Sequence, residues 1–254
     1  MTHPSLMWSL FAVIFSALTL PLAAQAQDPN AIDQAKAYIE KELHAGKIDK
    51  EKPNWRLSLP KYPLLTFSPN QTYLWTLNTN KGKMTFKLLP EHAPHHVSSF
   101  IYLTELGYYE GLKFHRVIKG FMAQGACPLG SGTGSPGYTL PLEAKPDVKH
   151  NARGTLSMAR SNSPNSAGSQ FFVTFGVTAA LDATERSPGY TVLGRMVDGE
   201  STLAAIEAAG RDRDPAPPTE PLTILDAHIA IEEAKALEAA PEAKSPDGTS
   251  EDAL

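Results

Sequence analysis

Between Thr72 and Ile231 the apolar residues come in pieces too short for long helices. TYLWTLNTN, KMTFKLL, FHRVI, GFMAQG, GTLSMA, SQFFVTF, TVLGRMV and LTILDAHIAI follow one another, with Gly and Pro at close intervals between them. Many short strand-like runs joined by Gly-rich connections predict a barrel or sandwich. TYLWTLNTN, the turn Lys81-Gly82 and KMTFKLL together predict a β-hairpin. Two helical patterns interrupt the strands. Val97, Phe100, Ile101 and Leu103 share a face within 94–106, which Pro94 can open and Gly107 can close, and a second short helix is expected over 199–209.

The segments on either side differ in texture. Residues 6–24, LMWSLFAVIFSALTLPLAA, are apolar and lead into Ala24-Gln25-Ala26, a small-x-small cleavage pattern. This predicts a secretory signal over 1–26, cut near Ala26/Gln27, and a periplasmic or secreted protein with no stable membrane insertion after cleavage. The alternative is an anchor formed by residues 6–24, since about 20 apolar residues can span a bilayer. Residues 27–71 read as an arm. Ile32, Ala35, Ile39 and Leu43 predict an amphipathic helix, and Pro53, Pro60, Pro63 and Pro69 then break the chain into an extended stretch. Its aromatics Trp55, Tyr62 and Phe67 can pack on the main domain or meet a partner.

Residues 232–254 keep helical propensity to about Ala240 and then lose apolar content, and they carry two lysines against seven carboxylates, a net −5 that predicts a disordered acidic tail. The chain as a whole is at −4 and residues 1–26 are uncharged, so 27–231 sits at +1. A nearly neutral body has no broad positive field, which argues against nucleic acid as a partner. One cysteine, Cys127, excludes an internal disulfide and any Cys-rich metal centre.

Tests for common catalytic motifs fail. There is no Gly-x-Ser-x-Gly elbow, no Walker loop and no His-Glu-x-x-His. GSGTGSPG at 130–137 joins no strand to a helix and is a weak phosphate loop. His92, His95 and His96 predict a solvated helix start, with a metal site as the alternative. Cys127 has no basic neighbour to lower its pKa and reads as a structural thiol. The unusual stretch is 114–175, where Arg116 interrupts an apolar strand-like run. Arg116 alone fits a salt-bridged or exposed strand position, and Phe121, Met122, Phe171 and Phe172 fit a core.

Taken together, Phe114-His115-Arg116, Gly120-Phe121-Met122-Ala123-Gln124-Gly125, Gly132-Thr133-Gly134, Ser157-Met158-Ala159 and Gly168-Ser169-Gln170-Phe171-Phe172 resemble the cyclophilin family of peptidyl-prolyl cis-trans isomerases, in order and spacing. The resemblance runs over 72–231 and implies a mainly β fold: a closed eight-stranded antiparallel barrel capped by two helices. It implies Arg116 as the catalytic group, hydrogen-bonding the prolyl nitrogen. Phe121, Met122, Phe172 and Leu181 would form the proline slot, walled by Tyr190. Gln124 would hold Arg116 and the substrate backbone, Ala159 and Arg160 would bind the residues before proline, and Gln170 would border the groove. No cofactor is implied, because rotation about the amide makes and breaks no bond. The implied partners are proline-containing unfolded or partly folded polypeptides, here exported ones.

Two departures from the family's well-studied eukaryotic members bear on ligands. Ala180 precedes Leu181-Asp182 where those members carry tryptophan, and a methyl offers neither an indole N–H nor its apolar face, so weak ciclosporin binding is expected. Tyr190 stands where they have histidine, as in bacterial relatives. A competing function is a proline-peptide binding or chaperone module that uses 27–71 as its interaction arm and catalyses only incidentally.

Overall fold

A computed structural model describes residues 28–233; the expected signal segment, and the tail beyond Glu233, lie outside the described residues. Eight strands form one antiparallel sheet: β1 Gln71–Thr79, β2 Gly82–Leu88, β3 Phe114–Ile118, β4 Met122–Gly125, β5 Thr155–Met158, β6 Phe171–Thr174, β7 Val192–Asp198 and β8 Ile224–Glu233. Glu232 and Glu233, placed in the acidic tail by composition, end β8 by pairing with Thr72 and Gln71.

The hairpin forms because alternation puts Tyr73, Trp75 and Leu77 of β1 and Met84, Phe86 and Leu88 of β2 on one buried face. Trp75 lies opposite Phe86, and Leu77 opposite Met84. Around Trp75 gather Phe100, Phe171 and Tyr109, with ring centroids 5.1, 5.2 and 5.5 Å away, and its indole N–H donates to Thr104 Oγ1 at 3.0 Å. These edge-to-face contacts suit the ring quadrupoles and tie the sheet to the helix that carries Phe100 and Thr104.

The strand order is β3-β4-β6-β5-β7-β2-β1-β8. The barrel is curled rather than closed by a full ladder. β8 uses its length on β1, from Gln71–Glu233 to Thr79–Ile224, and β3 has only five residues. The two edges meet at an isolated bridge, Lys113–Thr223, flanked by the Phe114 N–H to the Leu222 carbonyl at 3.0 Å. Two helices cap the sheet, α2 Pro94–Glu105 and α3 Glu200–Ala208.

The start of α2 is not solvated as its histidines suggested. His96 is fully buried, and the Glu143 carboxylate accepts the His95 and His96 backbone N–H groups at 3.0 Å each while contacting His96 Nδ1 at 2.5 Å. An anion at a helix N-terminus satisfies free amides and complements the helix dipole. The three imidazoles part company, since His95 Nδ1 meets the Tyr62 hydroxyl at 2.8 Å and His92 lies beside Glu91.

The arm packs on the barrel. α1 (Ala31–His44) is capped by Asn30, whose side chain accepts the Ile32 and Asp33 N–H groups at 2.9 and 3.1 Å. Its buried side is Ala31, Ala35, Ile39 and Glu42, turned from the expected face so that Leu43 is exposed. Small alanines let the helix lie close on α2, with Tyr38 edge-on to Tyr102. Past the helix, Ile48, Leu59, Tyr62 and Leu65 are buried. The expected aromatics all face the domain: Trp55 meets Tyr108, Tyr62 meets Tyr138, and Phe67 meets Tyr73.

Candidate functional site

A strand shows alternate side chains to opposite faces, and β6 uses both. Phe171 joins the aromatic core and Phe172 points the other way, so the pair read together as core divides between core and site. On β4, Met122 and Gln124 share the site face. β3 breaks the alternation. Phe114 pairs with Gly125, but Arg116 pairs with Gln124, and the extra residue His115 forms a bulge between them. In a regular strand Phe114 and Arg116 would share a face. The bulge instead leaves Phe114 in the core and swings Arg116 into register with Gln124.

The result is a slot of about 190 Å³ lined by Arg116, Phe121, Met122, Gln124, Ala159, Arg160, Phe172, Leu181 and Tyr190. All but one of the residues singled out from the sequence therefore converge. The remaining one, Gln170, lies behind the wall. It accepts from Gln124 Nε2 at 3.1 Å and donates to the carbonyls of Gly132 and Gly134 at 2.9 Å, bracing the glycine-rich loop. Drug-sized ligands fill about 300–1,000 Å³, so this slot admits one small apolar group beside a cation.

The guanidinium is held on two sides. Arg116 Nη1 donates to Gln124 Oε1 at 3.3 Å, while Nε and Nη2 donate to Asp214 Oδ1 and Oδ2 at 2.8 and 2.5 Å. The hydrogen bonds to Asp214 raise the pKa of Arg116 against the opposing effect of burial, and they lower that of Asp214. Its neighbour His115 is pulled down by burial and by the Arg116 charge, and both its ring nitrogens are buried without a partner among the described residues.

The opposite wall is built from loops. Leu181 ends a 3₁₀ turn (Ala179–Leu181), and its carbonyl accepts the Tyr190 N–H at 3.0 Å. Tyr190 stands edge-on to Phe172 at 5.8 Å. The Arg160 side chain does more than the sequence indicated: Nε and Nη2 donate to the Gly189 carbonyl at 3.0 and 2.7 Å, and the guanidinium lies 4.4 Å from the Tyr190 ring centre. That contact fixes the tyrosine wall and adds a cation–π interaction.

Sequence reasoning missed Asp214, which no motif marks, and a buried group behind Phe172. His150 stacks on Phe172 at 5.9 Å and 15°, and its ring nitrogens contact Asp182 at 2.8 Å and Ser157 Oγ at 3.0 Å. Asp182 also accepts the His150 backbone N–H at 2.7 Å. The trio is closed off from solvent at His150 and Ser157, both fully buried, so it supports the slot and has no access to a substrate. Cys127 has no basic neighbour, yet its pKa is lowered. Burial raises it, but backbone N–H groups of Gly134, Leu129, Gly132 and Ser131 outweigh burial.

Residues 74–229 match the family model described as cyclophilin type peptidyl-prolyl cis-trans isomerase/CLD. A peptidyl-prolyl cis-trans isomerase of Helicobacter pylori strain J99 is 42% identical over 126 residues, covering 50% of this chain and 74% of the relative. One from Synechococcus elongatus is 42% identical over 137 residues, covering 54% and 89%. Among solved structures, a cyclophilin type isomerase of Cryptosporidium parvum superposes with a TM-score of 0.58 at 32% identity, covering 63% of this chain and 98% of that one. The same protein in the presence of the dipeptide Ala-Pro gives 0.57 at 33% identity.

Proposed function

Because the chain belongs to the cyclophilin-type peptidyl-prolyl cis-trans isomerases, we propose that its slot seats the prolyl ring of an X–Pro bond, that Arg116 catalyses rotation there, and that its substrates are exported polypeptides. The observation that carries the reading is the juxtaposition of a fixed cation, Arg116, with the apolar walls Phe121, Met122, Phe172, Leu181 and Tyr190.

Amide resonance sets a barrier of about 18–20 kcal/mol, and the uncatalysed event takes tens of seconds or more. Rate enhancement therefore requires groups that bind the twisted amide better than either planar isomer. As the bond twists, the prolyl nitrogen becomes pyramidal and regains its lone pair. An Arg116 N–H aimed at that nitrogen stabilises the lone pair and opposes the return of resonance. The apolar walls hold the ring still while the preceding carbonyl turns. Gln124, bonded to both Arg116 and Gln170, keeps the donor in place and offers an amide to the substrate backbone. Ala159 and Arg160, at the end of β5, face the segment before proline. A guanidinium keeps its charge at any ordinary pH, so this step needs no titrating group.

A protease-coupled assay on an X–Pro peptide tests the reading. Wild type accelerates isomerisation, and Arg116→Ala lowers kcat/KM by about 100-fold or more, as expected for a donor acting in the transition state. An inactive wild type, or an Arg116→Ala variant that matches it, overturns the assignment. In the same assay ciclosporin should inhibit only weakly, because Ala180 is exposed on its turn and leaves the place of an indole unfilled. Export is supported by the apolar run 6–24 and the Ala24-Gln25-Ala26 pattern. N-terminal sequencing of protein from a cell envelope fraction should begin near Gln27; an intact Met1 would count against cleavage.

A further inference from the structure

The loop after α3 is fastened along the outer edge of β3. The Arg211 N–H donates to the Val117 carbonyl at 3.0 Å, the Lys119 N–H to the Arg211 carbonyl at 2.9 Å, and the Val117 N–H to the Ala216 carbonyl at 2.8 Å. Arg211 Nε returns to the Pro217 carbonyl at 2.9 Å. Both ends of the stretch 211–216 are thus tied to a residue adjacent to Arg116, and the segment between them delivers Asp214 to the guanidinium from outside the slot.

A guanidinium has five N–H donors in one plane. Asp214 takes Nε–H and one hydrogen of Nη2, side-on, and Gln124 takes one of Nη1. One Nη2 hydrogen keeps no acceptor among the described residues. Without Asp214 the group would keep only a long bond to Gln124 and a 3.9 Å contact with Met122 Sδ. A side-on pair is what fixes the plane of a guanidinium, because two parallel bonds stop rotation about the Cδ–Nε axis.

We infer that Asp214 is a positioning residue for catalysis, holding the Arg116 plane so that its free N–H points at the prolyl nitrogen. The inference rests on the reading of Arg116 as the catalytic donor. Asp214 is half exposed, with a side-chain exposure of 51%, so its removal costs the fold little. Loss of activity can therefore be told from loss of structure.

The test compares wild type with Asp214→Asn, Asp214→Glu and Asp212→Asn, which makes the same charge change two residues away. Asp214→Asn should lower kcat/KM about tenfold, chiefly through kcat, because a misaligned donor loses transition-state contact more than substrate binding. Its melting temperature should stay near wild type, Asp214→Glu should recover most of the rate, and Asp212→Asn should match wild type. Proton–nitrogen NMR of the Arg116 Nε–H adds a readout independent of turnover: a slowly exchanging signal in wild type that exchanges fast in Asp214→Asn. Unchanged kcat/KM in Asp214→Asn, with the wild type active, overturns the inference alone. A wild type without isomerase activity overturns the functional reading beneath it.

Discussion

His150 shows how much a single residue can hold. Its ring lies flat against Phe172, and Asp182, next to Leu181, accepts from both its ring and its backbone. Burial lowers the pKa of His150 more than Asp182 raises it, so the imidazole is neutral at neutral pH. His96 behaves alike: burial lowers it, and Glu143 offsets only part of that. The sign follows from proton counts. The unfolded chain protonates these histidines near pH 6.5, while the folded chain resists until lower pH, so the unfolded state gains protons first and stability falls as pH drops below about 6.5. For Asp182 and Glu143, burial is outweighed by hydrogen bonds from His150 and from His96 with His95, so their pKa values are lowered. Their contribution is also lost in acid, at still lower pH. The urea midpoint should therefore fall between about pH 7 and about pH 5, and kcat/KM on an X–Pro peptide should fall with it as the Phe172 wall loosens. A flat midpoint over that range would contradict neutral buried imidazoles. These residues were not legible beforehand because nothing local marks them. His150 and Asp182 stand 32 positions apart in the chain and meet only once it is folded. The slot residues were legible through motif order, which composition and periodicity do not supply.

At the level of elements, what repeats locally could be read and what breaks a repeat could not. The β1–β2 hairpin, α2 and α3 announce themselves by alternation, by Pro94 and by the apolar face of 94–106. The bulge at His115 does not, because FHRVI reads as an ordinary strand whichever face each side chain takes. Yet that one extra residue is what separates Phe114 from Arg116 and gives the slot its cation. The same holds for α2. Its own sequence shows Pro94 and two histidines, but the carboxylate that satisfies its first amides arrives from Glu143, 48 positions beyond His95. The α1 face was misplaced for a related reason. Ala35 and Ile39 are buried as expected and Ile32 packs at the core's margin, but close packing on α2 selects Ala31 where periodicity favours the bulkier Leu43, which is exposed.

Across the whole molecule, the arm and the barrel share one core. Ala31, Ala35, Ile39, Ile48, Leu59, Tyr62 and Leu65 belong to the same buried cluster as Trp75, Phe100 and Phe171. The arm is thus a structural layer over α2 and the 127–138 loop, with Tyr62 buried and Trp55 and Phe67 partly buried against the domain. Charge divides along the chain as well: the body over 27–231 balances to +1, and the chain's net negative charge comes from residues 232–254. Continuity of the core predicts that the arm opens with the barrel. The Leu59 and Leu65 amides, bonded to the Pro136 carbonyl and to Ser98 Oγ, should exchange with solvent deuterium within about tenfold of the rate at Trp75. Gly137 supplies the perturbation. It has φ +101°, and a Cβ there would meet Leu59 N at 2.9 Å and Ser58 Cα at 3.0 Å, so Gly137→Ala must push the arm from the loop. In that variant Leu59 should exchange about tenfold or more faster while Trp75 keeps its protection, because opening has become local. Fast exchange at Leu59 in the wild type would mean that the arm is loosely laid on the barrel rather than built into its core.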